Sequence, residues 1–268
     1  MHYADTLFMR IYSAFIVLLC LPLLGCDPPA KADAKIQHTG YYTQITPGVT
    51  GDELKAQLHD LIDDHEQLNY RELWDALAYT DADPDTPGNV LLLYTGWSLP
   101  AEAHGNNASG WNREHIWSKS RGDFGTKQGA GTDLHAIRPA EVTVNTARGN
   151  KSFDEGGELY IDRDGPTSCR RDKNSWEPRD EVKGDIARAI FYMAVRYEDA
   201  DLDLELTETP RSQQDKAPRH GVASTLIRWH QQDPPDNAER ERNDRVEALQ
   251  GNRNPFIDEP HWVNVLWS

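Results

Sequence analysis

The stretch from Trp111 to Lys151 reads WNREHIWSKSRGDFGTKQGAGTDLHAIRPAEVTVNTARGNK, and it decides the fold. It sets Glu114 beside His115, then a glycine-rich loop from Gly122 to Gly131, then Asp133-Leu134-His135, and finally Asn145, Arg148 and Asn150. Side chains leave a regular strand on alternate faces, so Glu114 and His115 can serve one site only where a strand ends or bulges. The segment Leu134 to Ile137 alternates well enough for a second short strand. Pro139 suits the first position of a helix and Gly149 its C-terminal cap. On that helix Asn145 and Arg148 are three apart and share a face. Strand, loop, strand and helix would together bring His115, Glu114, Asn145 and Arg148 to one place.

These residue types have a common use. Hydrolysis of a phosphodiester needs a base of near-neutral pKa to activate water, a cation on the non-bridging oxygen, and help for the departing oxygen. Histidine is available as a base at neutral pH. A glutamate carboxylate together with an asparagine carbonyl suits magnesium, a hard ion that keeps several waters and needs few protein ligands.

Upstream, Thr50-Gly51-Asp52-Glu53 has capping-box spacing, and Leu54, Leu58, Leu61 and Ile62 follow at helical intervals. A second helix is expected over Tyr70 to Leu77, then a loop from Asp81 to Gly88. Its acidic triplet, Asp81, Asp83 and Asp85, lacks the later ligands of a calcium loop. Val90 to Thr95 reads as a strand buried on both faces. Downstream, Glu181 to Glu198 is the strongest core helix, with Ser224 to His230 and Ala238 to Leu249 as further helices, the last capped by Gly251. Asn252 to Ser268 reads as an ordered extended tail. The expected fold is a single α+β domain, mostly helical, with a small antiparallel sheet.

At the N-terminus an apolar run, Ile11 to Leu24, follows Arg10 and closes as Leu23-Leu24-Gly25-Cys26. It is too short for a comfortable membrane span and has the plan of a secretory signal, with Met9 an alternative start to Met1. The closing residues resemble a bacterial lipobox. Residues 1–25 would then be a signal peptide, Cys26 the lipidated residue, 26–39 a proline-containing tether, and 40–268 the folded domain. Cys169 is left as the only thiol of the mature chain, which excludes an internal disulfide framework.

The central residues resemble the bacterial endonuclease I family, exported nucleases of the ββα-metal (His-Me) finger superfamily. The resemblance rests on Asn112-Arg113-Glu114-His115-Ile116-Trp117, on Asp133-Leu134-His135, and on Val144 to Lys151 with Phe153. Blocks at Lys183 to Met193 and Gln250 to Asp258 agree with it in order, so it covers roughly Gly40 to Trp267. It implies His115 as general base and Glu114 with Asn145 as ligands of one Mg2+, for which Mn2+ or Ca2+ could substitute. The products would carry 5′-phosphates. Arg148 is placed with His115 in the catalytic set, as phosphate contact or as helix anchor, while Asp133 and His135 orient the finger. Ser118 and Ala136 depart from the family pattern without touching the proposed base or ligands.

Charge limits how such a site could hold its substrate. The chain carries a formal net charge of -16, so its surface as a whole repels polyanions. Between Trp111 and Lys151 the balance reverses, with seven Lys and Arg against four Asp and Glu. Arg113, Lys119, Arg121, Asn150 and Lys151 are the expected nucleic-acid contacts, extended by Arg163, Arg170, Arg171 and Lys173. The expectation is an exported, sequence-nonspecific endonuclease, acting as a monomer, tethered to a membrane facing the periplasm or cell surface, or secreted. DNA is the expected substrate, with RNA also open. The alternatives are a ribonuclease preferring single strands and a surface lipoprotein that binds nucleic acid without cutting it.

Overall fold

The computed structural model describes residues 40–198 and 202–267. The expected signal peptide, the lipidation at Cys26 and the whole of the 26–39 tether fall outside these residues. Residues 38–268 form one compact unit.

In chain order the elements are α1 (Gly51–Ile62), α2 (Leu73–Thr80), β1 (Asn89–Leu91), β2 (Ser98–Pro100), β3 (Trp111–His115), β4 (Ile137–Glu141) and α3 (Val142–Arg148). There follow β5 (Ser152–Phe153), β6 (Glu158–Asp162), β7 (Gly165–Arg171), β8 (Ser175–Glu177), α4 (Lys183–Arg196), β9 (Glu205–Thr207), β10 (Arg219–Val222), α5 (Ala223–Gln232), α6 (Asn237–Gln250), α7 (Pro255–Asp258) and α8 (His261–Trp267). The strands are spread over four small sheets: β1-β2, β3-β4, β9-β10, and a four-stranded sheet ordered β5-β8-β7-β6. Helices and sheets thus share the chain. The expectation of a mostly helical domain with one small antiparallel sheet is corrected, since β5-β8 and β9-β10 are parallel pairs.

The centre of the molecule is α4. The stripe of Val182, Ile186, Ile190, Met193 and Tyr197 predicts a helix with one apolar side, yet every residue from Ile186 through Arg196 is buried. Two arginines make this possible because each meets an acceptor inside. Arg188 binds the carboxylate of Glu239, and Arg196 donates to His65 Nδ1 (3.0 Å) and to the carbonyl of Asp63 (2.6 Å). Helix α1 buries Leu54, Leu58 and Ile62, each contributing about 1.5–3 kcal/mol. Thr50 precedes it in extended conformation, but its side chain makes no capping hydrogen bond.

Four local expectations fail for identifiable reasons. The second strand expected over Leu134 to Ile137 begins only at Ile137, because Ala136 N turns back onto Asp133 O (3.0 Å). Leu92, Leu93 and Tyr94 are buried as predicted, but in a turn closed by Gly96 N to Leu92 O (2.8 Å), so the strand stops at Leu91. Pro139 does not begin a helix and instead sits in the middle of β4, opposite Arg113. A proline lacks a donor, and a two-stranded ladder has an outer edge where none is needed. Its carbonyl still accepts from Leu93 N (2.9 Å). The C-terminal tail is helical, with Asn254 capping Phe256 N (3.0 Å) and Pro255 opening α7.

Candidate active site

Strands β3 and β4 pair antiparallel from Trp111↔Glu141 to His115↔Ile137, and α3 follows β4 without a break. Gly149 ends α3 at φ +61°, with its N–H on Asn145 O (2.9 Å), as the sequence predicts. β3 stops at His115, which resolves the alternation problem: Glu114 and His115 both line one cleft of about 500 Å3. Asn145 and Arg148 of α3 line the same cleft.

His115 is buried, and its Nε2 lies 3.1 Å from the carbonyl of Gly131. A carbonyl can only accept, so Nε2 carries the proton and Nδ1 keeps its lone pair. Burial above all, then the positive charge of Lys119, pushes the imidazole down to about 4, so it is in the base form at neutral pH. Gly131 cannot be replaced cheaply here, because a Cβ would stand 2.4 Å from Lys127 O and 2.9 Å from Gly125 O.

Glu114 is 2% exposed. Its Oε1 accepts from the Tyr94 hydroxyl (2.6 Å) and lies 3.1 Å from Arg148 Nη1, the His115 backbone N–H is turned to the same carboxylate, and Oε2 takes no side-chain hydrogen bond among the described residues. Burial raises the carboxyl above its ordinary range, against the pull of Arg148 and Tyr94. Asn145 donates from Nδ2 to Asn112 Oδ1 (2.7 Å) and to Arg113 O (3.5 Å), which commits its nitrogen and leaves Oδ1 over. Two hard oxygens with unused lone pairs on one cleft fit a hard divalent cation. No group of three His, Cys, Asp or Glu that could hold a metal ion occurs among the described residues, so an ion here would rest on this carboxylate, the asparagine carbonyl and water.

The structure distributes the expected contacts unevenly. Of the two roles open for Arg148, its surroundings are those of an anchor: 1% exposed, it donates to His115 O (3.1 Å), Ile116 O (2.6 Å) and Ser118 Oγ (2.6 Å) and meets His220 Nε2 (2.8 Å). Its guanidinium is therefore largely taken up in holding the end of β3. Arg121 is corrected as a nucleic-acid contact. It is fully buried and donates to the carbonyls of Asp215 (2.8 Å), Asn150 (2.9 Å) and Arg211 (3.2 Å). Lys151 is corrected too, since its Nζ caps α3 on Ala147 O (2.8 Å). Asn150 reaches the cleft but its amide donates to Ser120 Oγ (3.0 Å) and Gln213 O (2.8 Å). Arg113 is clamped between aromatic contacts and donates to Tyr70 O. Lys119 is exposed, lines the cleft and makes no side-chain hydrogen bond or ion pair among the described residues. Asp133 and His135 lie in the core, away from the cleft lining.

Sequence reasoning missed Tyr94, Gly131 and His220. Tyr94 ends an apolar run, where a polar tip is a hint of a buried partner. Gly131 and His220 carry no local signal, because their roles depend on loops folding back.

A family model, Endonuclease I, matches residues 50–261. The chain belongs to the endonuclease I family. This endonuclease I chain is 50% identical over 248 residues to an extracellular ribonuclease of Bacillus subtilis (strain 168), covering 91% of this chain and 83% of that one. An extracellular ribonuclease of Bacillus amyloliquefaciens is 49% identical over 230 residues, 85% and 78% of the two chains. An extracellular deoxyribonuclease of Aeromonas hydrophila is 30% identical over 135 residues, 47% of this chain and 48% of that one.

Proposed function

We propose that the chain is an exported, metal-dependent endonuclease of the ββα-metal finger type, that RNA is its preferred substrate, and that it leaves 5′-phosphate ends. One observation carries the chemistry: His115 with an unprotonated Nδ1, Glu114 with an Oε2 free of side-chain partners and Asn145 with an unpaired carbonyl share one cleft. His115 takes the proton of the attacking water, and Gly131 holds its ring in the tautomer that can do so. Glu114 and Asn145 would hold one magnesium ion, which supplies charge for the scissile phosphate and the leaving oxygen. Tyr94 and Arg148 fix the Glu114 carboxylate, so that Oε2 is the oxygen left for the ion. Lys119 adds the mobile positive charge at the rim.

The preference for RNA over the DNA expected from sequence rests on the two Bacillus relatives, which are named ribonucleases and match nearly the whole chain at about half identity, whereas the deoxyribonuclease matches half of it. Export is supported by the same names and by the apolar leader. The lipid on Cys26 and a monomeric state belong to this proposal as well. Digestion of single-stranded RNA and of plasmid DNA, each with magnesium, with EDTA and with His115→Ala, tests the reading. RNA should be cut faster than plasmid, and only by wild type with magnesium. Both substrates surviving wild type with magnesium would refute the nuclease, and equal cutting by His115→Ala would refute the base.

A further inference from the structure

Arg148 stands behind both the proposed base and the proposed metal ligand, and it is itself held from behind. Its Nη1 reaches Glu114 Oε1 (3.1 Å), His115 O (3.1 Å) and Ser118 Oγ (2.6 Å), while Nη2 donates to Ile116 O (2.6 Å) and meets His220 Nε2 (2.8 Å). Nη2 has two hydrogens, and these two acceptors take both. With Ile116 O on one of them, His220 decides where the other points and thereby how the planar fork is turned.

The local backbone brings this ring inward. His220 lies on β10, whose register against β9 shifts between Arg219 and Val222, and the next residue, Gly221, takes φ +72°. Irregularities of this kind re-aim side chains. A Cβ on Gly221 would be strained by that backbone and would stand 2.6 Å from Leu226 Cδ1. The fully buried imidazole packs on Trp117, 5.7 Å between centroids, and on Phe153 at 5.5 Å. Phe153 also lies 4.5 Å from the guanidinium carbon of Arg148.

The contact with Arg148 fixes the tautomer. A guanidinium only donates, so Nε2 is the accepting nitrogen and the ring proton sits on Nδ1. Burial, then the charges of Arg148 and Arg121, hold the imidazole well below its ordinary 6.5, which keeps it neutral. Nδ1 has no partner among the described residues. A buried donor without an acceptor costs stability, so packing alone gives no reason for an imidazole at this position.

What the ring supplies is an acceptor that brings no charge. Other buried arginines show the alternative: Arg188 meets Glu239, Arg242 meets Asp81 and Arg253 meets Asp258. Arg148 meets one carboxylate among the described residues, and it is Glu114. A second carboxylate at position 220 would compete for the guanidinium and neutralise the charge that Glu114 faces.

We propose that His220 is a positioning residue of the active site: its Nε2 accepts from Arg148 and so aims the guanidinium at the Glu114 carboxylate and the end of β3. This deepens the proposed function, because it rests on Glu114 as metal ligand and His115 as base. Loss of the acceptor loosens the Glu114 carboxylate, and the magnesium with it, and shifts His115 from the attacking water. The cleft surface that meets the strand stays as it is.

The test compares the full wild-type chain with two variants. His220→Phe keeps a ring against Trp117 and Phe153 but has no acceptor, and His220→Gln has an amide oxygen that can accept. Magnesium binding is read by calorimetric titration without substrate, and kcat and KM on single-stranded RNA at saturating magnesium, per folded molecule. His220→Phe should weaken magnesium and lower kcat by about ten- to a hundredfold, with KM little changed, and His220→Gln should recover most of both. In wild type, nitrogen NMR should show the His220 ring protonated at Nδ1 and unprotonated at Nε2, a readout that needs no variant to fold. The inference is overturned if His220→Phe binds magnesium and turns over like wild type, if His220→Gln is no better than His220→Phe, if the loss lies in KM, or if Nε2 carries the proton. Wild type that cuts neither RNA nor plasmid would refute the proposed function, whereas an active wild type matched by His220→Phe refutes this inference alone.

Discussion

An acid and a histidine stand close together twice in the same short stretch, as Glu114-His115 and as Asp133-Leu134-His135, and the structure treats the two pairs oppositely. Asp133 is fully buried and accepts from the hydroxyls of Tyr192 (2.8 Å) and Tyr197 (2.9 Å), from Gln250 Nε2 (3.0 Å) and from His135 N (3.0 Å). His135 pairs Nε2 with Asn252 O (3.2 Å) and packs its ring on Tyr192 at 4.5 Å. Glu114 and His115 instead each keep a lone pair unused and turn it to a cleft. Burial lowers both imidazoles to about 4, so the shift does not tell the two apart. The histidines spend Nε2 alike, each on a carbonyl; what separates the pairs is that Glu114 and His115 line the cleft, whereas the Asp133 carboxylate is consumed by hydroxyls, an amide and a backbone N–H.

The contrast is broken most directly at the histidines. His115→Ala should slow cleavage by about 10²–10⁴-fold, the range for a positioned general base, with little change in urea midpoint. His135→Ala should do the reverse, lowering the midpoint while the fraction that remains folded cuts normally. Equal effects of the two on turnover per folded molecule would show that the division is wrong.

Next in size is Asp133→Asn, which sets an amide against hydroxyl donors in the core and should cost about 3 kcal/mol. Although burial works against it, the charges of His65 and His135 and the surrounding hydrogen bonds hold this carboxyl below its ordinary 3.8. A depressed carboxyl contributes its stability above the unfolded pKa and loses it as pH falls. Wild type should therefore weaken below about pH 4 more steeply than Asp133→Asn. Parallel acid-unfolding curves would remove Asp133 from that role.

A comparable effect is expected from metal. If the spare oxygens of Glu114 and Asn145 bind magnesium, the ion at one hundred times its Kd should stabilise wild type by about 2.7 kcal/mol and Glu114→Gln far less. Calorimetric melts with and without magnesium read this without any substrate, and an equal gain in both proteins would place the ion elsewhere.

The smallest effect sharpens the comparison with a third carboxylate on the same hairpin. Glu141 accepts from Thr95, and its Oε2 is buried without a partner. Burial, with Asp162 adding to it, raises its carboxyl to about 7. Because the folded pKa lies above the ordinary 4.5, stability should fall as pH rises from about 4.5 to about 7. Glu141→Gln should flatten that slope and melt slightly higher than wild type at pH 8, a difference that thermal melts across pH would show or deny.

Much of the frame was legible from residues alone. The period of Leu54, Leu58 and Ile62 gave α1, the glycines at 149 and 251 ended α3 and α6, and the order of strand, loop, strand and helix was right even though Pro139 entered the strand rather than the helix. Val90 to Thr95 shows the limit of such reading: an apolar run predicts burial, and Leu92 and Leu93 are buried, but it cannot predict that the run will bend. The basic rim was the least legible part. Arg121, Arg148 and Lys151 look like phosphate ligands in sequence, but Arg121 and Arg148 meet carbonyls once the 211–217 segment and the end of β3 close around them, and Lys151 folds back onto Ala147 O of α3.

The residue types of the centre, their order and the helix end that presents Asn145 were therefore determined by the sequence itself, because caps, turns and periodicity act over a few residues. The resemblance singled out Glu114 and His115 beforehand, but what leaves that pair lining a cleft while Asp133 and His135 sink into the core was decided by the tertiary structure. The partners that consume or spare their lone pairs, Tyr94 for Glu114, Gly131 for His115, and Tyr192, Tyr197 and Gln250 for Asp133, come from distant parts of the chain. No local rule connects a side chain to the group that will satisfy it across the core.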